Sequence, residues 1–171
     1  MTAAQIAAFT GQTEKVDLAA LGMDSIGRLY TYTANKRTGT DGPVSQSNDP
    51  KLVRIDVSGG VPVFTTIANY QQLKGTCDLA DATPENAMYF NAIEVGPGTL
   101  PIIFATQTRG TDDILVINPG GAPPATTTIT RIAQANGIAS MFFNNAQTNL
   151  AILFSNNVGA GSNDTFTIPA N

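Results

Sequence analysis

The chain has 171 residues, of which 42% are hydrophobic and only 13% charged, with 16 glycines, 10 prolines and a formal net charge of −4. That length suits one domain able to bury a core, while so few charges argue against long surface helices and for short strands joined by tight turns. There is no histidine, which excludes Ser-His-Asp and Cys-His nucleophile pairs and imidazole metal sites, and the absence of any basic cluster argues against nucleic-acid and anionic-membrane partners.

The opening stretch, MTAAQIAAFTGQTEK, lacks a basic n-region and a continuous apolar run, so it is not read as a secretory signal. Within it, residues 4–10 are β-like. Residues 21–25 and 29–34 then read as a strand pair, LGMDS and LYTYTA. After the polar loop 36–50 comes a third strand at 52–57, then the turn signal SGGVP at 58–62 and a fourth strand, VFTTIANY, at 63–70. Residues 71–86, QQLKGTCDLADATPEN, form an insertion with an expected helical turn. They contain Cys77, which is the chain's single cysteine, so no intrachain disulfide and no Cys-based zinc cluster can form.

From residue 88 the same phrase begins again. MYFNA at 88–92 aligns with MFFNN at 141–145, LPIIFA at 100–105 with LAILFS at 150–155, and DILVI at 113–117 with DTFTI at 164–168. The second copy continues through the turn PGGAPP at 119–124 into a fourth strand at 125–133, and QANG at 134–137 marks a further turn. The last copy stops after its third strand. The expected fold is therefore all-β and one domain, with three pseudo-repeats of a four-stranded antiparallel unit at about 16–70, 71–133 and 134–171 plus 3–10. Residues 4–10 would supply the missing fourth strand, either to the last repeat or to a neighbouring subunit.

The stretch LGMDSIGRLYTYTAN…KLVRIDVSGGVPVFTTI, residues 21–67, resembles a blade of the NHL-type and secreted β-propellers, in which an Asp-Ser-x-Gly-Arg-Leu-Tyr strand pair leads to a Leu-x-Arg-Ile-Asp strand and a glycine turn. The resemblance implies a propeller-like stack of blades. Three copies are fewer than such propellers use. Two arrangements stay open: three units as half of a six-bladed ring, or three units closing on themselves as a compact propeller or a β-trefoil.

Sites are sparse. Asp24, Asn91 and Asn144 are placed at equivalent first-strand ends, where Asx residues either bond local backbone or contact a ligand such as calcium or a sugar. Tyr30 and Tyr32 are the aromatic candidates for glycan stacking, with one of them expected to face inward. Asp112 and Asp113 are the one adjacent carboxylate pair, read either as a strand start or as hydrolytic acids. No catalytic, cofactor or metal residues are assigned. The expectation is a non-enzymatic structural or assembly protein, such as a virion decoration or tail component or an extracellular filament or layer subunit. It would associate with itself or with other structural proteins. A lectin-type glycan- or peptide-binding module is the alternative, and a carboxylate hydrolase the third reading.

Overall fold

A computed structural model of the chain describes residues 16–35, 51–74, 76, 90–98, 101–107, 112–135, 138–144, 148–154 and 165–169. Strands β1 (Val16–Met23), β2 (Leu29–Asn35), β3 (Lys51–Asp56) and β4 (Val63–Asn69) form a first sheet in that order, followed by the short helix α1 (Tyr70–Lys74). A second sheet takes β5 (Phe90–Val95), β6 (Ile103–Gln107), β7 (Asp112–Asn118) and β8 (Thr128–Ala135), again in chain order. The third has β9 (Ile138–Phe143), β10 (Asn149–Phe154) and β11 (Thr165–Pro169), with β10 in the middle. All pairings are antiparallel, and among the described residues no strand of one sheet pairs with a strand of another. The fold is all-β, and its strands group as four, four and three. The proposed closing strand at 4–10 lies outside the described residues, as do Cys77 and the loops 36–50 and 156–163.

Registers repeat from sheet to sheet. Met23 pairs with Leu29 and Leu29 with Ile55; Val95 pairs with Ile103 and Ile103 with Ile117; Phe143 pairs with Leu150 and Leu150 with Ile168. A β-bulge recurs as well: the β3–β4 ladder skips Ile67, and the β7–β8 ladder skips Ile132 at the corresponding pair. This register corrects the sequence alignment of the second unit. Ile103, not Leu100, answers to Leu150, and the first strand is Phe90–Val95 instead of 88–92. The β5–β6 connection holds Pro97, Gly98 at φ 101° and Pro101, and prolines cannot donate to a ladder, so pairing resumes only at Ile103.

The sheets stack face on face. Tyr30, Tyr32, Leu52, Ile67 and Ala68 of the first sheet meet Ile93, Val95, Ile103, Ala105, Leu115 and Ile117 of the second, forming the larger core. The opposite face of the second sheet sends Ala92, Phe104 and Ile114 against Met141, Leu150 and Ile152 of the third. First strands lie closest to one another, β1 against β5 and β5 against β9. Gly22 permits the first of these approaches: a Cβ there would meet Val95 Cγ2 at 2.9 Å and the Ile93 carbonyl oxygen at 3.0 Å.

Helix α1 is where the sequence expected a helical turn, and a capping box starts it. Asn69 Oδ1 accepts the Gln72 N–H at 2.9 Å, while Gln72 Oε1 accepts the Asn69 N–H at 3.0 Å. The helix buries Tyr70 and Leu73 in the larger core, and Gln72 Nε2 donates to the Pro124 carbonyl of the second unit at 2.9 Å. Thr127 Oγ1 donates to the Ile67 carbonyl at 2.6 Å, so polar bonds reinforce the apolar contact between these units.

Candidate functional site

Asp24 follows β1 directly and organises the β1–β2 turn. Its Oδ1 accepts the N–H groups of Ile26 at 3.1 Å and Arg28 at 2.9 Å; Oδ2 accepts from Arg28 Nε and from the Tyr30 hydroxyl at 3.1 Å. The carboxylate is buried. Burial alone would raise its pKa, but the Arg28 backbone and guanidinium bonds, the Ile26 N–H and the Arg28 charge together hold it below the ordinary aspartate value. Burial pushes the Tyr30 phenol up to about 12, with the Arg28 charge opposing and Asp24 adding to the rise. Asp24 uses both carboxylate oxygens on neighbouring residues, as a structural turn residue does.

Asn144 does the same work in the third sheet. Its Oδ1 accepts the N–H groups of Thr148 at 2.8 Å and Asn149 at 3.2 Å, and its Nδ2 donates to Thr148 Oγ1 at 3.0 Å. The backbone roles coincide too. The N–H of Asp24 donates to the Arg28 carbonyl, that of Gly96 to Ile102, and that of Asn144 to Asn149, the acceptors directly preceding the equivalent residues Leu29, Ile103 and Leu150. Gly96, not Asn91, is therefore the second-sheet counterpart. Asn91 is the second residue of β5, inside the strand at a register shift between Phe90 and Ala92. The threefold Asx arrangement expected from sequence is reduced to two turns.

Tyr30 and Tyr32 also depart from expectation. Positions two apart share a face, and both side chains point into the larger core, at 1% and 0% exposure. Tyr32 packs edge-on to Phe90 with ring centroids 4.6 Å apart. Neither ring forms a surface platform for a sugar. Asp112 and Asp113 open β7, and Asp113 is fully buried with its Oδ1 3.6 Å from Arg131 Nη1 on the adjacent strand. Glu94 lies between the second and third sheets, where its Oε1 accepts the Phe143 N–H at 3.3 Å. Burial raises its pKa above the ordinary glutamate value, and the Phe143 bond offsets this only in part. Among the described residues no group of His, Cys, Asp or Glu could hold a metal ion, and no helix is long and apolar enough to cross a membrane.

What the molecule does present is apolar surface. Leu21 and Met23 on β1, Ile26 in the following turn, and Val57, Val61 and Val63 around the β3–β4 hairpin are all exposed on the first sheet; Phe142 is exposed on the third. Sequence reasoning passed over these residues. The signal was there in the alternation Leu21-Gly22-Met23, which aligns with Ile93-Glu94-Val95 once the turns at Asp24 and Gly96 are matched. Comparison with protein-family models, with curated proteins and with solved structures finds no match for this chain.

Proposed function

We propose that this chain is a non-enzymatic structural or assembly protein that acts through protein–protein contacts, of the kind that decorates a virion or tail or builds an extracellular filament or layer, and that its three units are propeller-like blades. The supporting observation is the exposed apolar surface on the two outer sheets, Leu21, Met23, Ile26, Val57, Val61 and Val63 on the first and Phe142 on the third. Leu21 and Met23, two apart on β1, share one face of the sheet, and large apolar side chains left side by side in water mark interaction surfaces. The candidate polar residues, by contrast, are engaged internally: Asp24 and Asn144 in turns and Asp113 beside Arg131. Light scattering on the purified full-length chain over a concentration series tests the reading. Mass rising above that of one chain is expected; a constant monomer mass up to high concentration sinks self-assembly as the mode of action.

A further inference from the structure

Among the described residues the molecule contains two copies of one kind of interface and two exposed halves of a third. In the first copy, the β1 position Gly22 meets Ile93 and Val95 of β5. In the second, the corresponding β5 residue Glu94 meets the backbone of Phe143 on β9. The register makes Met23, Val95 and Phe143 equivalent, so Gly22, Glu94 and Phe142 are equivalent as well. Gly22 and Glu94 each face the next sheet. Phe142 is in the same position with 50% of its surface in water.

The complementary half is on the first sheet. Leu21 and Met23 are the counterparts of Ile93 and Val95, and they are 64% and 63% exposed. Directly paired residues share a face, so Met23, Leu29 and Ile55 line up on the outside of the first sheet as Val95, Ile103 and Ile117 line up in the larger core. Val53 and Ile55 on that outer face are buried, which confines the open area to the β1 edge and the turns beside it.

We propose that a second copy of this chain fills the gap, the β9 face of one copy seating Phe142 against Leu21 and Met23 of the next. This rests on the assembly reading above and specifies its contact. The interface is heterologous, using two different faces, so it propagates head to tail into a ring or a filament. It repeats between molecules the first-strand contacts that join β1 to β5 and β5 to β9 within one.

Sedimentation velocity on the full chain and on the Met23→Asp and Phe142→Asp variants tests the pairing, with circular dichroism confirming the fold and Leu21→Asp and Phe142→Ser as second variants for each face. Wild type is expected to associate, and each variant alone to associate more than about tenfold more weakly. An equimolar mixture of Met23→Asp and Phe142→Asp should form a dimer and nothing larger, because one intact face remains on each. A wild type that assembles while all four variants assemble equally well overturns the pairing and leaves the assembly reading standing. Association unaffected by Phe142→Asp but lost in Met23→Asp would mean that the first sheet pairs with itself, which also overturns it. A wild type monomeric at every concentration overturns the pairing and, with it, self-assembly as the mode of action.

Discussion

The phenol of Tyr30 donates to the Asp24 carboxylate across 3.1 Å, joining the largest apolar core of the molecule to the turn that starts the first sheet's second strand. Breaking the bond from either side has different consequences. Tyr30→Phe removes one donor from a carboxylate that keeps three others, and should cost about 1 kcal/mol in denaturant unfolding. Asp24→Ala leaves the N–H groups of Ile26 and Arg28 without that acceptor and should cost about 2–3 kcal/mol.

The same residue gives the fold an acid-sensitive component. Because the folded-state pKa of Asp24 lies below its unfolded value, its contribution is complete above the ordinary aspartate range and is lost as pH falls through that range to the lower folded value. Asp24→Asn lacks this contribution at every pH. The stability gap between wild type and Asp24→Asn should therefore be widest near neutrality and narrow in acid, as followed by urea unfolding at several pH values. A gap that holds constant down to strongly acidic pH would contradict the assignment.

Glu94 has the opposite sign. Its folded pKa is raised, so the favourable protonated state is fully present below the ordinary glutamate range and is lost as pH rises through the folded value. Glu94→Gln keeps an oxygen for the Phe143 N–H and carries no charge. The variant should be more stable than wild type at neutral pH and indistinguishable from it in acid. Thermal melts at both ends of the range decide this.

Gly22→Ala tests the closeness of β1 and β5. The added methyl would meet two side-chain methyls and the Ile93 carbonyl, and the backbone oxygen cannot swing aside. Overpacking of this kind costs about 1–3 kcal/mol. Gly22→Ala/Val95→Ala should lose less than the sum of the two single losses, because one clash is relieved, but more than Val95→Ala alone, because the Ile93 contacts remain.

Thr106 supports a bulge from inside. It is buried, and its hydroxyl accepts the Ala92 N–H at 3.1 Å where the β5–β6 register shifts. Thr106→Val preserves the shape but strands that donor, so a loss of about 1–3 kcal/mol is expected. Hydrogen exchange at Ala92 should accelerate with it; unchanged exchange would show that another group takes the proton.

Among the described residues the strand order was legible because glycine and proline turn signals punctuate each unit and because hydrophobic triplets repeat. The phase of the repeat was not. Matching Met88 with Met141 follows chemical likeness, whereas the structure matches Val95 with Phe143 through turn geometry, and the loop between Gly96 and Ile103 conceals the offset. That offset also separates Asn91 from Asp24, although the two align by sequence alone. Tyr30 and Tyr32 depart for a different reason: their threonine neighbours suggest a half-wet face, but Thr31 and Thr33 are themselves buried, with hydroxyls bonded to the Ala20 and Lys51 carbonyls. Burial of polar residues by local backbone bonding leaves no signature in hydropathy.

The extra residue at Ile67 lets two successive side chains of β4 face the same way. It turns both Ile67 and Ala68 toward the second sheet, and from there the chain enters α1 with Tyr70 and Leu73 already aimed inward. Ile132 recurs at the matching pair of the second sheet, with Ala133 beside the smaller core. A one-residue deletion at either place would iron the ladder flat without moving any partner: Ala68 would still oppose Leu52 and Ala133 still oppose Ile114, so the bulge can be lost without exchanging core for surface, at the cost in the first sheet of one fully buried side chain.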